Sequence, residues 1–359
     1  MYYDLLRADE YRRLVAQPET LRAEVDAAMK SSPDRVNYVV VDEVQRIPEL
    51  LDEIHGLIEH YPGLVFVMSG SSARKLKRTH ANMLGGRAWT LRLHPLTVAE
   101  MGPDFSLDRA LRFGLLPSVY PVRSDEARIE TLRSYVDTYV HEEVEQEART
   151  RNIGAFVRFL PLVASENGRV INFSNIAREA GISLPTVKAY YQILEDSLLG
   201  FFLFPRLQSV RQRVVKHPRF YLFDPGMVTA LQRRLSSPLG EADGAAYGRA
   251  FEHFLVCEIR KIIDYSRAEV DMSFYRTDRG AEVDCILESA RGDSVGIEIK
   301  STATPSASHT SGLRSFGAVN PGAELILACR APRPAQFGRV CAMPWREVLR
   351  KVRAMCESN

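Results

Sequence analysis

Two groups of residues in this 359-residue chain are of types and at spacings that could do chemistry. Toward the N-terminal end the apolar run Val39-Val40-Val41 finishes in Asp42-Glu43. With this arrangement nucleotide hydrolases hold Mg²⁺ on the first carboxylate, usually through water, and polarise the attacking water with the second. A buried strand running into any polar loop gives the same pattern, so the pair alone does not decide. The second group lies in the last third, where Ala281-Glu282-Val283-Asp284 ends or bends one strand and Gly296-Ile297-Glu298-Ile299-Lys300 closes the next. Glu298 and Lys300 are two apart, so in a strand they share a face, and a hairpin can bring Asp284 beside them. Glu252, within Phe251-Glu252-His253-Phe254 on a preceding helix, is spaced to aim at the same place. Glu-x-Lys alone is more often what an exposed, salt-bridged strand face presents. The four residues in order are what point to a site.

The elements that must position these groups follow from hydrophobic periodicity. Residues 1 to about 103 alternate β-rich runs with helical patterns. Strands are expected at Tyr2 to Leu6, Val36 to Val41, Leu64 to Met68 and Ala88 to Leu93, with helices at about 9 to 30 and 48 to 61 as crossovers. The middle two strands are nearly continuous apolar runs, as in parallel strands covered on both faces. From about 105 to 167 the pattern is helical, and the charged stretch Ser124 to Thr150 carries Leu132, Tyr135, Val136, Tyr139 and Val140 at helical spacing. Residues 171 to 222 read helix, turn, helix, strand, then a basic loop. A further pattern begins near Tyr247 with a helix and three strands, Val270 to Arg276, Glu282 to Glu288 and Ser294 to Lys300. Another helix and a strand at Glu324 to Ala328 follow.

The run from Val41 to Leu51 resembles a family of bacterial and archaeal AAA-type P-loop ATPases that carry a C-terminal domain of unknown function. Ser69 to Leu76 and Leu84-Gly85-Gly86-Arg87 resemble the next two segments of the same family, and the resemblance extends over essentially the whole chain. It implies that Asp42 and Glu43 are the Walker B pair, with Asp42 on Mg²⁺. It also implies that Ser69 to Ser72, Ser71 among them, stand at the polar sensor, and that Arg87 is a γ-phosphate or subunit-interface arginine. A solvated arginine after a glycine turn is the other reading of Arg87. The departure is the phosphate-binding loop, which needs closely spaced glycines followed by Lys and Ser or Thr, whereas no Gly-Lys dipeptide occurs in the sequence. In the family that loop precedes the segment matching Tyr2 to Leu6. The resemblance therefore implies weak or absent ATP binding, and a sheet lacking its central strand between Leu64 to Met68 and Ala88 to Leu93. Such a gap invites a homo-oligomer or a completing partner chain. A start assigned too late, a truncated gene and a repacked remnant are equally consistent with it.

The set Glu252, Asp284, Glu298 and Lys300 resembles the PD-(D/E)XK nuclease core. That likeness implies that carboxylates, Asp284 and Glu298 among them, hold Mg²⁺ with a main-chain carbonyl, while Lys300 orients water and stabilises developing phosphate charge. The segment Ile171 to Ser183 carries a capped helix, a glycine turn and a second cap at Ser183, and looks like the start of a winged helix. Its second helix, about Leu184 to Leu194, is expected to present Thr186, Lys188 and Tyr191. Downstream, Arg206, Arg211, Arg213, Lys216 and Arg219 form an acid-free basic stretch able to meet DNA phosphates, with Arg211 and Arg213 favoured. A protein-docking role is the alternative for this segment.

Composition narrows the partners. Lys plus Arg exceed Asp plus Glu by 47 to 45, a formal charge of +2, so any nucleic-acid surface must be local. The five cysteines show no zinc-type spacing and fit unpaired thiols in a reducing, cytoplasmic compartment. No apolar run approaches the ~18 residues of a membrane span, so no membrane partner is expected. The expected architecture is α/β: an incomplete P-loop (AAA-type) parallel sheet over 1–103, a helical linker over 104–167, a winged helix over 168–235, and a PD-(D/E)XK-like α/β domain over 245–359. The expected function is that of an AAA-type protein defective in ATP hydrolysis as it stands. A Mg²⁺-dependent DNA nuclease and a non-catalytic DNA- or protein-binding module are the alternatives.

Overall fold

Alternating burial along Tyr38–Asp42, with Val39 and Val41 fully enclosed, marks a strand that presses one face onto helices. In a computed structural model of the chain, which describes residues 1–31, 37–70, 88–140, 153–206, 217–237 and 239–358, this strand is β2. It lies between β1 (Tyr2–Asp4) and β3 (Val65–Met68) in a parallel sheet, with Tyr3 opposite Val41 and Val40 opposite Val67. The crossovers are α1 (Ala8–Ala16) and α2 (Glu19–Ser31), separated at Gln17-Pro18, and α3 (Leu50–His60). Leu14, Leu21, Val25, Ile54 and Leu57 bring their apolar stripes onto β2.

Two expectations are corrected here. Strand β3 is not covered on both faces by the described residues, since Val65 and Val67 are about half exposed. Ala88–Leu93 forms no strand. Trp89, Leu91 and Leu93 stand largely in solvent, because no ladder partner lies beside them among the described residues.

The chain divides into two compact units, Met1–Thr90 with Asp196–Leu198, and Leu91–Glu195 with Leu199–Asn359. The second unit begins with α4 (Val98–Met101), closed by a Thr97–Glu100 capping box, α5 (Leu107–Phe113) and α6 (Asp125–Ser134), which runs on as a π-type turn over Tyr135–Val140. Then come α7 (Ile153–Ser165), α8 (Phe173–Ala180), α9 (Leu184–Asp196), and the antiparallel pair β4 (Gly200–Leu203) and β5 (Arg219–Leu222). Asn172 accepts from the Asn175 amide to cap α8, Gly181 ends it at φ 66°, and Ser183 caps α9 through the Thr186 amide. Tyr191, expected to be presented, is instead buried against Phe159, Phe173, Phe202 and Phe220. It faces the side of α9 that the aromatic core claims.

After α10 (Pro225–Leu231), the long helix α11 (Ala245–Ser266) leads into β6 (Val270–Arg276), β7 (Glu282–Ser289) and β8 (Ser294–Ile299). Helix α12 (Ser311–Val319), β9 (Glu324–Cys329), β10 (Ala335–Phe337), β11 (Val340–Pro344) and α13 (Trp345–Glu357) complete it. The six strands form a mixed sheet ordered β10-β11-β9-β8-β7-β6, in which β8, β9 and β11 run parallel and the remaining pairings are antiparallel. Ile297, Ile299, Ile326 and Ala328 pack toward α11 and α13, while Ile286, Leu325 and Leu327 pack toward Leu313 and Phe316 of α12. The architecture is therefore α/β, parallel N-terminally and mixed C-terminally. No helix among the described residues is long and apolar enough to cross a membrane.

Candidate active site and its internal cation

The pairing of β7 with β8 sets Cys285 opposite Ile297, so the Asp284 end of one strand lies beside the Glu298 to Lys300 end of the other. The Ile299 amide donates to Asp284 Oδ2 at 2.9 Å, and Lys300 Nζ donates to Glu298 Oε1 at 2.6 Å. Glu252 arrives from α11, and β5 contributes two side chains from alternate positions, Arg219 and Tyr221. Tyr221 OH donates to Glu252 Oε1 at 2.9 Å. One guanidinium nitrogen of Arg219 reaches Glu252 Oε1 at 3.2 Å and Asp284 Oδ1 at 3.4 Å, and the other pairs with Glu282. The Arg219 side chain is only 4% exposed and stacks over Phe274.

Charge bookkeeping shows what this arrangement leaves open. Four carboxylates, Glu252, Glu282, Asp284 and Glu298, face two cations, Arg219 and Lys300, an excess of two formal negative charges. The consequence is visible in proton affinity. Burial, and then the Asp284 charge, push the Glu252 carboxyl up to about 7, against the pull of Arg219. Burial and Asp284 likewise push Glu298 up to about 7. Burial works against the Lys300 ammonium, but Glu298 and Asp284 outweigh it and hold its affinity above the usual lysine range. Glu298 Oε2 is buried and has no hydrogen-bond partner among the described residues. As arranged, no three His, Cys, Asp or Glu side chains among the described residues converge closely enough to hold a metal ion. The Arg219 guanidinium lies among the carboxylates instead.

Each residue expected at a site can now be located. Glu252, Asp284, Glu298 and Lys300 come together. Arg219, grouped in the sequence with phosphate-binding cations, is buried and neutralises carboxylates. Arg206 is likewise paired, with Glu288 at 2.9 Å. Arg211, Arg213 and Lys216 lie outside the described residues. Thr186 closes the first turn of α9 beside Ser183. Lys188 is exposed on the same helix, its ammonium 5.7 Å from the centre of the Phe173 ring. In the first unit Asp42 ends β2, where it accepts from Tyr2 OH at 2.9 Å and bonds Ser69, whose hydroxyl also accepts the Glu43 amide at 3.1 Å. Glu43 adopts a left-handed conformation, φ 59°. Ser71 and Arg87 lie outside the described residues.

Comparison with known proteins adds the family context. Residues 2–102 match the family model of an AAA domain, residues 104–238 a domain of unknown function (DUF8612), and residues 247–348 a domain of unknown function (DUF4143). The first and last matches support an AAA-like ATPase family with DUF4143. The AAA-like segment holds Asp42 and Glu43. The DUF4143 segment holds Glu252, Asp284, Glu298 and Lys300, while Arg219 and Tyr221 come from the DUF8612 segment. Uncharacterized proteins of Mycobacterium bovis and Mycobacterium tuberculosis are each 26% identical over 274 residues, covering 76% of this chain and 60% of the relative. An uncharacterized protein of Haemophilus influenzae is 23% identical over 254 residues, covering 66% of this chain and 60% of its own length. The chain thus spans about 60% of the length of the curated relatives it matches. No solved structure matches it significantly.

Proposed function

We propose that the DUF4143 segment is a divalent-metal-dependent, PD-(D/E)XK-like nuclease acting on DNA, carried by a protein with an AAA-like segment. The observation that carries this reading is the convergence of Glu252, Asp284, Glu298 and Lys300 around an excess of two negative charges. The donor chemistry fits Mg²⁺: hard carboxylate oxygens, with Glu298 Oε2 buried and unpartnered. Glu252, Asp284 and Glu298 are the residues that would hold it, once they close in further than they stand here and Arg219 gives up its contacts with Glu252 and Asp284. Once bound, such an ion polarises a phosphoryl oxygen and lowers the pKa of water. The remaining work falls to the chain. Lys300, kept charged and oriented by Glu298, faces negative charge that develops on the phosphate. The Ile299 amide fixes the rotation of the Asp284 carboxylate.

The AAA-like segment supports a second, subordinate reading. Asp42 and Ser69 meet at the carboxyl ends of adjacent parallel strands, the edge where open α/β sheets bind ligands. With no Gly-Lys dipeptide among its 359 residues, the chain is expected to bind ATP weakly and turn it over negligibly.

One assay addresses both readings. Purified chain is incubated with single-stranded, duplex and branched DNA, with Mg²⁺ or Mn²⁺, in the presence and absence of ATP, and both DNA products and ADP are measured. The expected result is metal-dependent cleavage lost in Asp284→Ala and in the isosteric Asp284→Asn, with no ADP formed. Absence of cleavage on all three DNAs, or cleavage indifferent to both substitutions, sinks the nuclease reading. ADP release at the rate of an intact ATPase sinks the second.

A further inference from the structure

Beside the carboxylate site the second unit contains a cleft of about 720 Å³ among α7, α10 and the N-terminal turns of α11. Arg169, Arg233, Arg234 and Arg249 line it, and Glu166 is the one carboxylate among the described lining residues, a formal balance of +3. Arg169 lies 3.4 Å from that Glu166. No carboxylate among the described residues pairs with Arg233, Arg234 or Arg249, and all three are exposed. Three exposed guanidinium groups without a carboxylate partner around one concavity give it a local positive potential that attracts an anion. Arg233 adds a second observation. Its φ of 57° lies in the left-handed region, where glycine or asparagine is the usual occupant. The residue also ends α10, and its left-handed turn aims the chain so that Arg233 and Arg234 both face the cleft.

The cleft neighbours the site across α11 and the 166–169 turn, although none of Glu252, Asp284, Glu298 and Lys300 lines it. On α11, Ala246, Arg249, Ala250 and His253 share the stripe that lines it, and Glu252 is one turn from Arg249. The 166–169 turn forms another wall. A Cβ placed on its Gly168 would lie 3.7 Å from Glu252 Oε1. The two small residues Ala246 and Ala250 leave the space open. The volume falls in the 300–1,000 Å³ range of sites for drug-sized ligands, which suits one or two nucleotides of a single strand and not the width of a duplex.

We infer that this arginine-lined cleft binds the phosphate backbone of a single nucleic-acid strand and leads it toward Glu252. The identity of that strand as the substrate rests on the nuclease reading above, whereas its binding does not. The test is therefore made without metal. Binding of a fluorescently labelled single-stranded oligodeoxynucleotide to the full chain is measured in EDTA across a salt series, for the wild type and for the triple variant Arg233→Gln, Arg234→Gln, Arg249→Gln. The triple variant is expected to bind at least about tenfold more weakly, with the slope of log affinity against log salt reduced by about 2, three contacts at about 0.7 each. Arg233→Gly, which relieves the left-handed strain, is expected to melt no lower than the wild type and still to bind more weakly. Unchanged affinity and slope in the triple variant overturn the inference. So does equal binding of poly-glutamate, or displacement of the oligonucleotide by an equal concentration of inorganic phosphate, since either indicates a general anion patch. Arginine-dependent binding in a chain that cleaves no DNA leaves the cleft standing and removes only the nuclease reading.

Discussion

Asp224 shows at the residue scale how this fold uses a buried acid. Its carboxylate accepts the Leu115 amide at 2.7 Å and the Gly226 amide at 2.8 Å, capping α10 and fixing the chain that leaves α5. Burial raises its pKa to about 6, with those two amides and Lys261 only partly opposing the shift. The folded value lies above the unfolded one, near 3.8, so the folded state binds the extra proton. Its contribution is greatest below about pH 4 and declines as pH rises through about 6. The unfolding free energy of the wild type relative to Asp224→Asn should therefore fall by roughly 2 kcal/mol between pH 4 and pH 7 and then level off. Urea titrations at several pH values measure this, and a difference that stays flat or grows with pH contradicts it. His253, one residue after Glu252, has the opposite sense. Burial lowers it to about 4, and its ring nitrogen lies 2.6 Å from the Leu222 carbonyl oxygen. The single-site difference with Asp224→Asn isolates one effect from the other.

At the scale of elements, helix α12 reaches the site indirectly. A Cβ at Gly312 would fall 1.8 Å from the carbonyl oxygen of Glu282, which is backbone and cannot swing away. Gly312→Ala must push α12 off β7, at a cost of about 1–3 kcal/mol, and shift the strand that carries Glu282 and Asp284. The expected outcome is a lower urea midpoint together with weaker DNA cleavage, while a variant as stable and active as the wild type would show that the helix tolerates the displacement. The sequence made most of these elements readable. Strands β6 to β9 and the cap at Ser183 stand where periodicity and capping chemistry put them, because each is specified by residues within a few positions. Long-range partnerships were not legible. Ala88–Leu93 has strand-forming residues but pairs with no strand among the described residues. Tyr191 has helical spacing that fits either face, and the aromatic core decides which. Arg219 looked like one more basic-loop cation, since its partners Glu252 and Asp284 lie 33 and 65 residues away. The alternation of Arg219 with Tyr221 on a short strand was the one local hint that it points inward.

At the scale of the whole molecule, three family models meet two compact units, and the boundaries do not coincide. The segments over 104–238 and 247–348 match separate models yet, Asp196–Leu198 apart, fall in one unit. Tyr221 of β5 belongs to the same apolar cluster as Phe251, Phe254 and Ile297, and the Leu222 carbonyl meets His253. Arg219 joins the two segments most strongly, because leaving its carboxylates buried without a cation costs far more than the pair contributes when intact. Arg219→Met should lower stability by about 3–5 kcal/mol in urea unfolding, and a loss under about 1 kcal/mol would show that the carboxylates relax into solvent. The same guanidinium has a consequence for motion. Amide protons of β5 and of β7 and β8 should become exchangeable in a single opening event, because neither segment can leave without stranding charge in the other. Strand β5 and the C-terminal sheet would then behave as one cooperative unit of hydrogen exchange, although their sequences match two family models.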